Sequence, residues 1–226
     1  MPERQIIFFD VGNTLLFPNR AKILVPVAGD RHPTLEQWQA LERKTKTEFD
    51  REMQSGRVDH SFWWIFYHHL VEEFEGIRDA ASRDSLLREL VRNTQNSANW
   101  DQILTGTRAA LDRIRNKFRI AVISNSDGKI KNILSRCGIA DCFETITDSG
   151  VVGFEKPRPE IFQAALKAMK ARAEESLYVG DVYSVDYVGA TNAGMQAVLF
   201  DVAGAYRDRP EPRVESLAQL EDWLRK

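Results

Sequence analysis

Cysteine is scarce in this chain: Cys137 and Cys142 are the only two in 226 residues. No nearby group completes a four-ligand zinc set, and two thiols exclude a disulfide framework while leaving a single bridge open. An excess of charge of one sign is also absent. The sequence sets 31 Lys and Arg against 33 Asp and Glu, a formal net charge of -2. No global field therefore favours nucleic acid, and no block of like charge marks a binding tail. No apolar stretch approaches the roughly 18 residues of a membrane span. Met1 to Gln5 run straight into an apolar segment without room for a signal peptide, which predicts a cytoplasmic protein. Repeats and low-complexity tracts are missing too. The length suffices for one generous domain or a core with a smaller companion.

The most informative stretch is Ile6-Ile7-Phe8-Phe9-Asp10-Val11-Gly12-Asn13-Thr14-Leu15. Four bulky apolar residues without polar alternation predict a strand buried on both faces, with Asp10 at its carboxyl end. Open α/β sheets place their ligand crevices there. An aspartate in that position can bind a cation, attack an electrophile or cap the loop.

Residues 19–100 show helical periodicity without strand alternation. Thr34-Leu35-Glu36-Gln37 fits a capping box, with Leu35, Trp38, Leu41, Phe49 and Met53 at near-helical spacing behind it. Trp63, Phe66, Tyr67, Leu70 and Phe74 form the stripe of a second helix, and Leu86, Leu87, Leu90 and Val91 that of a third. These aromatics are expected to fill a helical bundle core rather than to form a stacking platform. His68 and His69 point about 100° apart on a helix, which argues against a shared metal ion.

From about residue 103 strands and helices alternate. Expected strands are 119–123, 143–147, 177–179 and 197–200. Asp127 is expected to cap the helix bearing Ile130, Ile133 and Leu134, and Pro159 to open the next one. Such alternation implies crossover connections and a parallel sheet. The fold class expected is therefore α/β, a doubly wound, Rossmann-like parallel sheet. Residues 1–18 and 101–226 would form this core, and 19–100 an inserted α-helical cap domain.

Three expected strands end in useful chemistry: Asp10, Ser124 with Asn125, and Asp181, with Lys156 in a nearby loop. Side by side, these ends would converge two carboxylates, a hydroxyl and an ammonium on one crevice. Two carboxylates suit Mg²⁺, and the lysine and hydroxyl can orient phosphoryl oxygens.

With these residues in place the chain resembles the haloacid dehalogenase (HAD) superfamily of hydrolases, subfamily I, with a helical C1-type cap after the first motif. The matching motifs are Asp10-x-x-x-Thr14-Leu15, Ser124-Asn125, Lys156-Pro157 and Gly180-Asp181-x-x-x-x-Asp186, in order and end to end across the core. The resemblance implies that Asp10 is a nucleophile forming an aspartyl-phosphate. It gives Ser124 and Asn125 to substrate binding and Lys156 to stabilising both Asp10 and the transferred group. Asp10, the Gly12 carbonyl and Asp181 would hold Mg²⁺, with Asp186 in support. The partner implied is a small phosphorylated substrate, with no nucleic acid and no membrane.

One position departs from the phosphatase pattern. Where those enzymes carry an acid/base aspartate two residues beyond the nucleophile, this chain has Gly12. Such assistance is typically worth about 10²–10⁴-fold. A leaving group that departs unprotonated, as from an acyl or aryl phosphate, would lose less. A residue from 19–100 could supply the acid instead, and Lys44, Lys46 and His32 are the candidates, although all three are expected at the surface. A non-catalytic phospho-ligand-binding or regulatory protein, or phosphonate cleavage through a cap lysine, are the alternative functions. Dehalogenation ranks below phosphate-ester chemistry because Asp181 and Asp186 argue for a metal.

Overall fold

The computed structural model describes residues 5–28, 33–56, 61–73 and 80–225. The chain begins with β1 (Ile6–Phe9) and β2 (Leu16–Phe17), followed by α1 (Arg20–Ala28), α2 (Leu35–Ser55), α3 (Phe62–Glu73) and α4 (Ala80–Gln95). After β3 (Gln102–Ile103) come α5 (Thr107–Arg115), β4 (Arg119–Ser124), α6 (Ile130–Arg136), β5 (Ile146–Asp148) and α7 (Ser149–Val152). The remainder is α8 (Pro159–Met169), β6 (Ser176–Gly180), α9 (Val188–Asn192), β7 (Gln196–Phe200), β8 (Arg213–Val214) and α10 (Leu217–Trp223).

β1 is the axis of the sheet. It pairs in parallel with β4 on one side and β6 on the other, and the six strands run in the order β5-β4-β1-β6-β7-β8. All five pairings are parallel. Because side chains alternate along a strand, Ile7 and Phe9 enter one core layer with residues of α5, α6 and α10. Ile6 and Phe8 enter the other, with α8 and α9. Burying each of these four side chains is worth on the order of 1.5–3 kcal/mol, and helices on both faces make the sheet doubly wound. The chain builds outward from β1 through β4 to β5, then returns to β6 on the other flank. That reversal opens a crevice beside the carboxyl ends of β1, β4 and β6.

Between β2 and β3 the chain is helical. Thr34 and Gln37 form the expected capping box: Gln37 N donates to Thr34 Oγ1 at 3.2 Å, and Thr34 N to Gln37 Oε1 at 2.9 Å. Trp38, Leu41, Phe66, Tyr67, Leu70, Leu87 and Leu90 pack with Ile23 and Leu24 of α1, a helix the hydrophobic pattern does not announce. Leu35 departs from expectation. It lies in the first turn of α2, outside the packed stripe, and is 60% exposed. Phe74, expected in the α3 stripe, and His32 lie outside the described residues.

Two further local expectations change. β5 is shorter than 143–147 because Phe143 turns into the core against Phe9, at 6.2 Å between ring centroids. The start of α6 is held by Asp148 as well as by Asp127, whose Oδ1 accepts from Lys129 N at 3.3 Å. Asp148 Oδ1 accepts from Gly128 N at 3.0 Å and Oδ2 from Ile130 N at 3.1 Å, a cap supplied from 18 residues downstream. Among the described residues no helix is long and apolar enough to cross a membrane.

Candidate active site

The strand ends converge as their spacing predicts. Asp10 leaves β1 with its N–H donated to Val179 O at 2.8 Å, so the carboxylate is fixed relative to β6. Val11 O then accepts from Leu15 N and Leu16 N, each at 2.9 Å, and closes the loop into a tight knot. Asn13 takes the left-handed conformation there (φ 51°), which asparagine tolerates better than most residues. Lys156 Nζ donates to Asp10 Oδ1 at 2.5 Å, Asp186 Oδ1 at 2.7 Å and the Tyr178 hydroxyl at 2.7 Å. Its three donors are thereby used. The Lys156 loop is held by Asn125, whose Nδ2 donates to Lys156 O at 3.0 Å and whose Oδ1 accepts from Lys156 N at 2.7 Å. Both ends of the Asn125 amide are thus spent on positioning the lysine. Asp186 Oδ2 accepts from Val182 N at 2.9 Å. Gly180 has a steric reason, since a Cβ there would lie 2.5 Å from Asp186 Cγ.

Asp10, Lys156 and Asp181 are all buried, and loss of hydration is the largest single influence on each. Loss of hydration pushes the Asp10 carboxyl up to about 6; Lys156 opposes the rise and Asp186 adds to it. Asp181 is pushed up to about 7 by burial and by the carboxylates of Asp186, Asp10 and Glu42, against the pull of Lys46. Burial disfavours the Lys156 ammonium, but Asp10 and Asp186 more than offset it and hold the lysine above its ordinary value.

Carboxylate oxygens of Asp10, Asp181 and Asp186 lie within 4.8 Å of one another. Asp181 Oδ2 is buried without a well-formed hydrogen bond and faces Lys46 Nζ at 3.0 Å. Four buried carboxylates (Asp10, Asp181, Asp186, Glu42) meet two buried ammoniums (Lys46, Lys156). When all are ionised, four less two leaves two negative charges, which one divalent cation would neutralise. An all-oxygen donor set with a charge deficit of that size fits Mg²⁺.

Lys46 overturns its expected place at the surface. Its side chain is 1% exposed and its Nζ sits 2.8 Å from Glu42 Oε1 and 3.0 Å from Asp181 Oδ2. Burial disfavours its charge, but Asp181 and Glu42 hold its pKa well above the ordinary lysine value. It belongs to a polar stripe on α2, Glu42, Lys46 and Asp50, that faces the sheet rather than solvent. Asp50 Oδ1 accepts from Ser184 N at 3.0 Å and Oδ2 from the Tyr206 hydroxyl at 2.9 Å. Arg43 Nη1 donates to Ala203 O at 2.9 Å beside it. The four-residue spacing was visible in the sequence, but a solvated helix face has the same spacing. Lys44 is exposed. His69 is buried with Nε2 2.8 Å from Glu48 Oε2. His68, His69 and Glu72 do bring ligand atoms within 4.8 Å of one another, nearer than adjacent helical positions suggest.

A cavity of about 640 Å³ lies between the strand ends and the helices. Asp10, Ser124, Lys156 and Asp181 form its floor, Phe49, Met53, Phe62 and Trp63 line it from the helices, and Trp100 lines it beside Gly12. The aromatics therefore divide between two environments: Trp38, Phe66 and Tyr67 are bundle core as expected, whereas Phe49, Phe62 and Trp63 border the cavity.

The family model for haloacid dehalogenase-like hydrolases matches residues 5–194, and the chain belongs to that family. It is 32% identical over 151 residues to haloacid dehalogenase-like hydrolase domain-containing protein 3 of Bos taurus, covering 66% of this chain and 57% of that protein. It is 36% identical over 127 residues to glyceraldehyde 3-phosphate phosphatase of Methanothermobacter thermautotrophicus, covering 52% of this chain and 56% of that one. The chain thus spans little more than half the length of these curated relatives. In fold it is similar to a HAD-hydrolase of Bacillus subtilis bound to magnesium. The TM-score is 0.70 at 19% identity, covering 99% of this chain and 100% of the other.

Proposed function

We propose that the protein is a Mg²⁺-dependent phosphatase acting on a small phosphorylated molecule, with residues 19–100 serving as a cap over the core. The observation that carries this reading is the bond from Lys156 Nζ to Asp10 Oδ1, on a floor shared with Ser124, Asp181 and Asp186. In this reading Asp10 attacks phosphorus, the bond to the leaving oxygen breaks, and water hydrolyses the aspartyl-phosphate. Lys156 holds Asp10 in place and stabilises the transferring charge, and Ser124 donates its hydroxyl to a phosphoryl oxygen. Asn125 acts through the Lys156 backbone. Asp10, Asp181 and the Gly12 carbonyl would hold the cation with Asp186 behind them, and the bound ion would neutralise phosphoryl oxygens. The similarity to a named phosphatase supports phosphoester chemistry. Lys46 is an ammonium shared by two carboxylates, which suits it to charge compensation and not to Schiff-base attack on a phosphonate substrate.

Steady-state hydrolysis of p-nitrophenyl phosphate with and without Mg²⁺ tests the reading. Metal-dependent multiple turnover is expected. Silence in both conditions would overturn it in favour of a binding or regulatory protein.

Two predictions accompany it. The first concerns Gly12, where a Cβ would meet Trp100 Cζ3 at 3.3 Å. Gly12→Asp alone is therefore expected to raise turnover less than about tenfold, short of the ~10²–10⁴-fold that an acid can supply. In a Trp100→Leu background the same substitution should gain more, and a double-mutant cycle of kcat/KM measures the coupling. The second concerns pH. The folded-state pKa of Asp181 is raised from 3.8 to about 7, so the folded protein retains a proton that the unfolded chain releases. This contribution to stability is fully present below the unfolded value and is lost as pH rises through the folded one. Metal-free protein should melt roughly 3–10 °C lower near pH 8 than near pH 5.5. Mg²⁺ should restore more at the higher pH, and Asp181→Asn should flatten the dependence.

A further inference from the structure

The geometry points to an aryl phosphate monoester as the substrate class, a flat apolar phenol being the leaving group; this inference rests on the phosphatase reading above. Two independent features carry it. The first is the position of Trp100. A Cβ built on Gly12 would lie 3.3, 3.6 and 3.8 Å from three carbons of the indole six-membered ring. An aromatic face thus covers the spot where the family pattern puts an acid. The indole is anchored there, its Nε1 donating to Thr94 O at 2.7 Å and its ring packing edge-on to Trp63 at 5.4 Å. A leaving group above Gly12 meets carbon and not a proton donor. The ester it accepts must release an oxyanion of low basicity.

The second feature is the aromatic wall of the cavity. Phe49 and Phe62 pack edge to face at 5.6 Å, and Phe62 and Trp63 at 5.1 Å. Together with Met53 and Trp100 they line the same cavity as Asp10 and Lys156. Among the described residues no charged side chain from α1–α4 lines it; the charged lining groups all belong to the core and its loops. Ser61, Thr94, Gln95 and Ser97 add polar groups to the lining, but a polyol or sugar leaving group set against Phe49, Phe62, Trp63 and Trp100 would bury hydroxyls on rings that cannot pair them, which is costly. A phenol ring instead offers a π-face and edge to the surrounding aromatics. Low leaving-group basicity and a flat apolar body are independent demands, and aryl esters meet both.

The step balances without an acid at position 12. An Asp10 oxygen forms a bond to phosphorus while the P–O(aryl) bond breaks, and its electron pair leaves on the phenolate, which takes a proton from solvent. Water then attacks phosphorus, the P–O(Asp10) bond breaks, and inorganic phosphate and the Asp10 carboxylate are released.

The test compares kcat/KM, with Mg²⁺ present, for substituted phenyl phosphates against glycerol 3-phosphate and glyceraldehyde 3-phosphate. Aryl esters are expected to lead by about 100-fold or more, the scale of the missing acid catalysis, with the rate falling as the phenol becomes more basic. Aryl esters are intrinsically more reactive, so two further readouts decide. Phe62→Leu and Trp63→Leu should each lower the aryl-to-alkyl ratio by about tenfold. Phenylphosphonate, which is not hydrolysed, should inhibit the unaltered protein at least about tenfold more tightly than methylphosphonate. Equal inhibition by the two phosphonates, or turnover of the alkyl esters matching that of the aryl series, would overturn the inference and leave the phosphatase reading standing. Absence of turnover on every ester would overturn both.

Discussion

Asp10→Asn is expected to lower steady-state phosphatase turnover by about 10⁴-fold or more, because in the proposed mechanism it removes the nucleophile itself and not an assisting group. The carboxamide keeps the size of the side chain and its place at the end of β1, so the geometry of the floor survives. Electrostatically the change is benign, since Asp10 is one of several carboxylates crowded around Lys156 and Asp181, and Lys156 Nζ retains Asp186 Oδ1 at 2.7 Å. The variant should therefore melt near the parent while losing activity. Thermal denaturation run beside the kinetic assay separates a missing nucleophile from a damaged fold. Full activity in a clean preparation would remove Asp10 from the mechanism.

Lys156→Met should damage both stability and activity. The ammonium is 3% exposed and spans Asp10 and Asp186. Removing it strands two buried carboxylates without their counter-charge, a change that typically costs about 3–5 kcal/mol. For a chain of this size that corresponds to a fall in Tm of roughly 6–20 °C. Mg²⁺ should recover part of the loss by taking over the counter-charge, whereas turnover should stay depressed by about 10³-fold because the fixed donor beside phosphorus is gone. Differential scanning calorimetry at two metal concentrations measures the first effect, and the p-nitrophenyl phosphate assay the second. A melting point unchanged from the parent would mean that the acidic cluster is neutralised elsewhere.

The two variants probe the part of the site that is most local in sequence. Asp10 follows a four-residue apolar strand and Asp181 follows another, so the period of the pattern places both at strand ends before any contact is known. Pro159 opens α8 and Thr34 caps α2 for the same kind of reason, a preference settled within one helical turn. The order of the motifs then implies that the carboxyl ends meet, because a parallel sheet brings them to one edge.

What lay beyond the sequence came from residues far apart along the chain. Lys46 looks like one more charge on an amphipathic helix until α2 docks on the β6 loop and sets it against Asp181. Trp100 resembles any aromatic near the end of a helical segment until the chain returns to place it over Gly12. Asp148 joins Asp127 at the start of α6 from 18 residues beyond Ile130. Leu35 has the right residue type and spacing for the core but lies exposed in the first turn of α2. Periodicity and capping report a residue's relation to neighbours within a few positions, and they determined β1, β4, β6 and β7, most of the helices and the candidate motif set. Which polar stripe faces the sheet, and which rings face the cavity, depends on how α1–α4 settle on the core; a helix face carries no local mark of the surface it will meet, so only the tertiary structure decided it.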